Sequence, residues 1–424
     1  MIFAVLAGCA GGSNDLPHWH ADVRPIVEGR CAGCHTEGAI APFPLVDYAS
    51  VSAMGEIVKE VTSSGQMPPW GAVPGHLDYA GDRSLTDAQI ETIAAWVDGG
   101  MPEGDPEDAG PPLPSLEVAL PRVDASLVLP EAYAPAEGLD DDYRCFPVEW
   151  SLSGTQYVTG FDVHPDNATI VHHVAAFLIR PDGIAGDPRP TFLEWDDTEA
   201  GPGYTCFGGP SKSGESLDVP IQQVAQWVPG SGATLFPDGV GIEIPEGSLV
   251  VVQMHYNTLS GDGKADQTSL DLMVEPEVTR KGAFAPWLDA AWTCGGMPIG
   301  AGAEGVVHNV TGDPLPFFEI LLGAGIDLSN GFDIHAAMLH MHTLGRHGVV
   351  TQHRADGDQV LLEVADWDFD WQLNYTFAAP VAFTPGDELD LSCTFDNPTD
   401  VTVNWGEGTG DEMCVANLFV SAPK

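Results

Sequence analysis

The feature that most constrains the fold is a series of short apolar or alternating segments, separated by glycine, aspartate and proline turns, after about residue 125. Examples are "GSLVVVQMHYNT" (247–258), "GVVTQHRADGDQVLLEV" (348–364) and "DWDFDWQLNYTF" (366–377). Such patterns predict strands, and in the last segment the alternation predicts that the aromatic residues share one strand face. With 49 glycines, 35 prolines and no long amphipathic helix, the sequence predicts a mostly β fold of β-sandwich or jelly-roll class.

The domain boundaries follow from composition. The stretch "EGDPEDAGPPLP" (103–114) contains acidic, glycine and proline residues without apolar periodicity, which is typical of a linker. We therefore predict a small domain over 16–105, a linker over 106–124, and two tandem β-sandwich domains over 125–279 and 280–424. A chain of 424 residues is long enough for a separate core in each.

The charge of the chain excludes some partners. There are 62 acidic and 15 basic residues, which gives a formal net charge of −47. Such a surface repels nucleic acid and anionic membranes, so neither is expected to bind it. Acidic runs such as Asp140, Asp141 and Asp142 are interpreted as solvated surface.

A second motif lies near the amino terminus. "RCAGCHTEG" contains Cys31, Cys34 and His35 with the C-x-x-C-H spacing that attaches a c-type haem through two thioethers and one axial imidazole. A zinc knuckle or a redox C-x-x-C would need a second ligand pair or a βαβ context, and neither is present. Met67 in "SSGQMPPWGA" is the predicted sixth ligand, and Thr86 is predicted to cap a helix that ends at Gly99.

Together these motifs resemble a class I cytochrome c domain, a small all-α fold, over about residues 16–105. The resemblance implies one covalently bound haem c. It assigns no role to three nearby histidines, which we interpret as surface or structural: His18, His20 and His76.

Four later segments carry histidine or methionine in positions that suit metal ligands: His172 and His173, His255, His340 and His342, and Met413. His340 and His342 are two apart, so on a strand they would share one face. The adjacent pair His172 and His173 would point to opposite faces unless a bulge or a strand end rotates one of them. Three imidazoles suit zinc or copper, whereas two imidazoles with a thioether suit copper, especially Cu(I). Hydrogen-bonded core histidines are the alternative interpretation.

In order and spacing these segments resemble the copper type II, ascorbate-dependent monooxygenases over about residues 125–424. The resemblance implies two copper ions, a first that stores and passes an electron and a second, catalytic one that binds and activates O2. It also implies two disulfides and leaves Cys294 unpaired. The implied residues are His172, His173 and His255 for the first copper, His340, His342 and Met413 for the second, and the pairs Cys145 with Cys206 and Cys393 with Cys414.

The implied activity is hydroxylation of a small organic substrate with O2. In peptide-amidating members of the family an arginine two residues before the His-x-His motif helps to hold the substrate carboxylate, and here that position is Met338. We therefore expect a small, apolar or aromatic substrate rather than a glycine-extended peptide. The fused haem would supply electrons, replacing or supplementing an ascorbate-like reductant, and a periplasmic electron donor is a possible partner.

The first residues, "MIFAVLAGCAGGSND", resemble a bacterial lipoprotein signal in which Cys9 is lipidated, although no basic residue precedes the apolar run. We therefore expect an exported periplasmic or cell-surface lipoprotein that contacts the membrane only through this anchor. A free amino-terminal cysteine is the alternative for Cys9. For the whole chain, the alternatives are a non-catalytic electron-transfer or copper-binding lipoprotein and a surface adhesion or structural module.

Overall fold

The computed structural model describes residues 16–37, 41–114, 116, 118–136, 139, 141–183, 186–206, 208–215, 222–258, 263–322, 326–406 and 408–424. The chain divides into two compact units. Unit 1 comprises Met1–Trp70 and Arg83–Leu116, and unit 2 comprises Gly71–Asp82 and Glu117–Lys424. Cys9, the predicted lipidation site, lies outside the described residues.

Unit 1 is built from short helices. They are a π-helix at Trp19–Val23, α1 Arg24–Arg30, α2 Tyr48–Ala53, α3 Gly55–Ser63, α4 Asp87–Asp98 and a 3-10 turn at Pro106–Asp108. The predicted cap of α4 is confirmed, because the Thr86 hydroxyl accepts a hydrogen bond from the Gln89 backbone N–H and the Gln89 side chain accepts one from the Thr86 backbone N–H. Apolar side chains that include Trp19, Ile93 and Trp96 form the core of this unit.

Unit 2 consists mainly of strands, with helices α5 Arg189–Thr198 and α6 Leu315–Leu322 and a 3-10 turn at Trp292–Cys294. The strands are β1 Ala125–Val128, β2 Asp141–Glu149, β3 Gln156–His164, β4 Val171–Ile179, β5 Tyr204–Thr205, β6 Gln222–Trp227, β7 Thr234–Leu235, β8 Val240–Ile244, β9 Leu249–Asn257, β10 Ser269–Glu275, β11 Arg280–Trp287, β12 Val306–Gly312, β13 Phe332–His340, β14 Gly345–His353, β15 Gln359–Val364, β16 Tyr375–Phe383, β17 Glu388–Phe395 and β18 Val415–Ser421. The predicted mostly β class is confirmed.

The strands form three sheets. One has the order β5-β2-β9-β4-β6, a second the order β12-β17-β14-β15, and the largest the order β1-β10-β3-β8-β11-β18-β13-β16, with β7 paired to β3. The largest sheet is continuous because β8 and β11 pair in parallel through Val240 with Arg280 and Gly241 with Lys281. Division into two tandem sandwiches and assignment of unit 1 to the cytochromes c stay predictions.

A hydrophobic core contains fully buried residues from two of these sheets. Phe146 and Val252 come from the five-stranded sheet, and Phe161 and Ile242 come from the largest sheet. Alternate residues of each strand point into this core, so the intervening residues of β4 and β9 point to the other face of their sheet. That other face carries the first group of candidate ligands.

One predicted strand is absent. Residues 366–374 are irregular, and β16 begins only at Tyr375, so the prediction that Trp367, Phe369 and Trp371 share a strand face is wrong. The Asp368 side chain accepts the backbone N–H of Asp370 at 3.0 Å, and its carbonyl accepts that of Trp371 at 3.1 Å. These local bonds stabilise a turn that competes with strand pairing.

Gly71–Asp82 lies within the predicted haem domain in sequence but belongs to unit 2 in the structure. Ala72 pairs with Val364, and Tyr79 pairs with Phe377, as isolated antiparallel bridges. The glycine-rich "GAGAEG" (300–305) forms turns that lead into β12. Within the described part of the chain, no helix has the length and apolar character needed to cross a membrane.

Candidate metal sites

The first site combines three histidines from adjacent strands, which we call the three-histidine group: His172 and His173 on β4 and His255 on β9. His173 pairs directly with His255, and a register shift between Val171 and His173 leaves His172 as an extra residue. The strand thus has a bulge here, which is one of the two conditions under which adjacent histidines could meet, and both turn toward the same place. The Nδ1 atom of His172 lies 3.4 Å from that of His173 and 3.1 Å from that of His255, and the latter two are 3.2 Å apart.

A hydrogen bond to Asp141 fixes the orientation of the His255 ring. Its Nε2–H donates to Oδ1 of Asp141 at 2.8 Å, which leaves Nδ1 to face the other two histidines. The other carboxylate oxygen of Asp141 accepts from the Thr409 hydroxyl at 3.1 Å. The Tyr143 ring stacks on His255 with 4.1 Å between ring centroids. The hydrogen bond from His255 lowers the pKa of Asp141, so this carboxylate stays ionised.

These contacts correct the interpretation of the acidic run as solvated surface. Asp141 orients a histidine, and Asp142 is buried and accepts from the Tyr133 hydroxyl at 2.6 Å. Asp140 lies outside the described residues. Composition suggested a charged surface, but pairing of β2 with β9 places these carboxylates against polar partners on neighbouring elements.

Burial determines the protonation state of the group. It lowers the pKa of His172 to about 4, with a further decrease from the neighbouring His255, and it lowers the pKa of His173 well below its usual value. Both imidazoles are therefore neutral at neutral pH, with lone pairs available as ligands. Within the described residues, this is the cluster of histidine, cysteine or acidic side chains whose donor atoms are close enough to hold a metal ion.

The second predicted site, which we call the His-Met group, comprises His340, His342 and Met413. The rings of the two histidines lie 5.1 Å apart between centroids, at the end of β13. His340 Nδ1–H donates to Gln372 Oε1 at 2.5 Å, and His342 Nδ1–H donates to the Asp411 carbonyl at 3.1 Å. In each ring, Nε2 is the nitrogen that does not make this hydrogen bond. Burial lowers the pKa of His340 to about 3 and also lowers that of His342.

The segment that carries Met413 runs beside His340, because β13 pairs with β18. His340 is opposite Val415, two residues beyond Met413. The Cys393–Cys414 disulfide joins the residue after Met413 to β17; both this disulfide and Cys145–Cys206 are confirmed. Cys294 is free and exposed. Pairing and disulfide together fix where the methionine segment runs.

Glu412 connects the histidine and methionine segments of the His-Met group through hydrogen bonds to their backbones. Its fully buried carboxylate accepts backbone N–H groups of His342 at 2.9 Å, Leu344 at 2.6 Å and Met413 at 3.1 Å. Burial raises the pKa of Glu412 to about 7, and these donors oppose the rise. A single side chain thus sets the spacing between His342 and Met413.

The two groups lie next to each other, because Phe369 contacts both. Its ring stacks on His172 at 5.3 Å between centroids and meets His342 edge-on at 6.1 Å. A second connection runs from His255 through Asp141 to Thr409, which lies just before Asp411 in the segment that holds His342. Phe369 lies in the irregular segment 366–374.

The predicted haem residues all lie in unit 1, with Cys31, Cys34 and His35 at and just beyond the end of α1 and Met67 beyond the end of α3. His35 Nδ1–H donates to the Phe43 carbonyl at 3.0 Å, which leaves Nε2 available as an axial ligand. Cys31 and Cys34 are not paired in a disulfide, and burial raises the pKa of the Cys31 thiol to about 11. The Met67 N–H donates to the Val61 carbonyl at 2.9 Å. Their assignment to a haem stays a prediction.

Sequence reasoning missed the residues that position the ligands: Asp141, Gln372, Glu412 and Phe369. All four lie in segments that were already noted, Asp141 in the acidic run, Phe369 and Gln372 in the segment predicted as an alternating strand, and Glu412 directly before Met413. One usable signal was available for Asp141. It lies two residues before Tyr143 in β2, so the two share the strand face that meets His255 on β9.

Comparison with known proteins supports the copper monooxygenase family and an oxidoreductase activity. Residues 324–420 match the family model described as copper type II ascorbate-dependent monooxygenase, C-terminal domain, and this range includes the His-Met group. The chain is also similar to DBH-like monooxygenase protein 2 of Mus musculus, with 26% identity over 271 residues. That alignment covers 60% of this chain and 38% of the relative, so the chain spans well under half the relative's length.

Similarity to solved structures is weak. The VP2 subviral particle of infectious bursal disease virus is 10% identical, with 72% of this chain and 74% of that chain covered and a TM-score of 0.18. A Paenibacillus xanthan lyase is 12% identical, with 73% and 26% covered and a TM-score of 0.18. TM-scores this low carry no argument about fold or function.

Proposed function

We propose that this chain is a copper-dependent monooxygenase that hydroxylates a small organic substrate with O2. The observation that carries the proposal is the three-histidine group, whose Nδ1 atoms converge to within 3.4 Å and in which burial keeps His172 and His173 neutral. The family match over residues 324–420, which contains the His-Met group, supports a second copper there. The activity and substrate of the whole protein are proposals, since the matched relative is much longer.

The donor chemistry of both groups fits copper. Three neutral imidazoles suit copper or zinc, whereas two imidazoles with the Met413 thioether form a softer set that favours copper. One ring nitrogen is already hydrogen-bonded in His255, to Asp141, and in His340, to Gln372, so the other nitrogen of each ring would be the copper ligand. Such outer partners fix the tautomer and orientation of metal-binding histidines. We therefore assign one copper to each group.

Bound copper would supply the one-electron chemistry for the overall reaction RH + O2 + 2 e⁻ + 2 H⁺ → ROH + H2O. The residues of the chain would hold the copper ions and limit the access of water to them. The Met413 thioether favours the reduced ion, so we assign the catalytic role to the His-Met group. Phe369 covers one face of His172 and contacts His342, so it excludes water from the space beside both groups.

We propose that the electrons come through a c-type haem in unit 1, with or without an ascorbate-like reductant or a periplasmic donor. The proposed haem residues are Cys31, Cys34, His35 and Met67. Two observations support this role. The hydrogen bond from His35 to Phe43 leaves Nε2 free for iron, and Gly71–Asp82, which follows the Met67 segment directly along the chain, belongs to unit 2.

Export as a lipoprotein is likewise a proposal. The sequence around Cys9 supports lipidation, and the two disulfides are consistent with an oxidising compartment such as the periplasm. Under this proposal, the chain contacts the membrane through its lipid anchor and meets its small-molecule substrate in the periplasm or at the cell surface.

The test is O2 consumption by copper-loaded protein over a panel of candidate substrates. We expect substrate-stimulated uptake that is lost in His340→Ala and retained in His353→Ala, because His353 is exposed and pairs with Asp358. Bound copper without substrate-stimulated uptake would instead indicate a non-catalytic copper or electron-transfer protein. For the haem, stopped-flow oxidation of reduced protein should depend on O2 and substrate, and unchanged haem kinetics in His172→Ala would contradict the electron route.

A further inference from the structure

Three side-chain amides form a cluster beside the two metal groups, which we call the amide cluster: Gln223 and Gln226 on β6 and Asn417 on β18. Asn417 Nδ2 donates to Gln223 Oε1 at 2.8 Å and to Gln226 Oε1 at 2.9 Å. Gln223 Nε2 donates to Gln226 Oε1 at 3.3 Å. These bonds connect the five-stranded sheet to the largest sheet.

The backbone register explains why the two glutamines meet. Gln226 pairs with Ala175 and Gln223 pairs with Phe177, and a register shift between Ala176 and Phe177 makes β6 one residue longer over this stretch. The bulge puts both glutamines on one face although they are three apart in sequence. That face of β4 also carries His173, two residues before Ala175.

Asn417 is placed in the same way beside the second metal group. It is opposite Met338 in β13, and Val415, two residues earlier, is opposite His340. Side chains two apart on a strand share a face, so Asn417 and Met338 lie on the face that carries His340. Gln226 is opposite Ala175, two residues from His173, and Asn417 is opposite Met338, two residues from His340. The amide cluster therefore lies beside a histidine of each metal group.

Two atoms of the cluster have no partner. Within the described part of the chain, Gln226 Nε2 and Asn417 Oδ1 are buried and make no hydrogen bond. Buried amide groups are nearly always hydrogen-bonded, so a free donor next to a free acceptor is unusual. The pair is complementary to a ligand group that accepts one hydrogen bond and donates another.

We propose that the amide cluster binds the polar end of the substrate, and that this end is a neutral hydroxyl or carboxamide. A carboxylate would face the Asn417 carbonyl oxygen, and an ammonium group would face the Gln226 N–H donor, so either charge leaves one contact repulsive. Met338 and Phe177, opposite Asn417 and Gln223 in the sheets, supply apolar surface for the substrate body. The inference rests on the proposed function, for which it names the substrate class.

The test measures binding of four probes that share a phenyl ring: benzamide, benzyl alcohol, benzoate and benzylamine. Affinities are measured on the full chain, both copper-loaded and copper-depleted, and copper content is determined on the same samples. The variants are Gln226→Met and Asn417→Leu, which keep side-chain size but remove the amide. Gln222→Met is the matched control, because Gln222 lies on the same strand outside the cluster.

We expect wild-type protein to bind both neutral probes, and to bind both charged probes at least about tenfold more weakly. Benzamide affinity should fall about three- to tenfold in each cluster variant, as for loss of one neutral hydrogen bond, and stay unchanged in Gln222→Met. Equal affinity for neutral and charged probes, no binding of neutral probes, or unchanged benzamide affinity in both cluster variants would overturn the inference. If a variant fails to fold, the comparison of neutral with charged probes on wild-type protein still tests the inference. If the protein takes up no copper but still binds the neutral probes selectively, the proposed function is contradicted and the assignment of the amide cluster is not.

Discussion

Asp141 offers the sharpest single perturbation of the three-histidine group. Its carboxylate accepts the His255 Nε2–H at 2.8 Å and so keeps Nδ1 directed at His172 and His173. A hydrogen bond to a charged acceptor contributes about 1.5–3 kcal/mol. Since about 1.4 kcal/mol corresponds to a tenfold change in affinity, Asp141→Ala should weaken copper binding at this group by about 10–100-fold. Asp141→Asn, which keeps an acceptor oxygen but loses the charge, should have an intermediate effect.

The assay is competition for Cu(I) with a chromophoric chelator, repeated in a His340→Ala background so that the three-histidine group is measured without the His-Met group. The matched control is Asp142→Asn. Asp142 is the next residue, and its carboxylate accepts from Tyr133 rather than from a histidine. Its substitution is expected to affect folding stability more than copper affinity. Copper affinity within about twofold of wild type in Asp141→Ala would refute the positioning argument.

Three further predictions test other parts of the site. In copper-depleted protein, folding holds the pKa of His172 at about 4, below the unfolded value of 6.5, so the folded state loses stability as the pH falls. Between about pH 8 and about pH 5, the free energy of unfolding should therefore fall by about 2 kcal/mol more in wild type than in His172→Gln, as measured by urea unfolding. Equal pH dependence would show that His172 is not buried as described. Gln372→Met removes the acceptor of His340 Nδ1–H and should weaken copper binding at the His-Met group by about tenfold or more, by chelator competition, without changing the three-histidine group. Replacing Cys393 and Cys414 with serine opens a loop closed across 21 positions and should lower the free energy of unfolding by about 3 kcal/mol in urea, and an unchanged midpoint would count against that role.

Local patterns predicted much of the fold because those patterns depend only on near neighbours. The segment Leu249–Asn257, which begins with four apolar residues, forms β9, and Thr86 caps α4. The sequence also stated a geometric requirement on the candidate ligands, since two histidines at i and i+2 share a strand face whereas an adjacent pair needs a bulge or a strand end to meet. The structure contains such a bulge beside His172.

The rest depends on contacts between residues far apart in sequence. Gln372 meets His340 across 32 positions, and Glu412 meets the His342 backbone across 70. Neither contact has a local signature. The stretch around Phe369 has strand-like alternation, but its aspartates form turns, and local side-chain hydrogen bonds prevail over the pattern. The charge of Asp141 likewise says nothing of its partner until β2 is paired with β9.

The central claim is that two separate groups of donors each hold one copper. Its most direct test is metal and haem quantification, with electron paramagnetic resonance of the oxidised protein, on wild type and on His172→Ala and His340→Ala. We expect two copper ions per chain in wild type and one in each variant, with different residual signals. Zinc in place of copper, or a copper content that neither substitution changes, would contradict it.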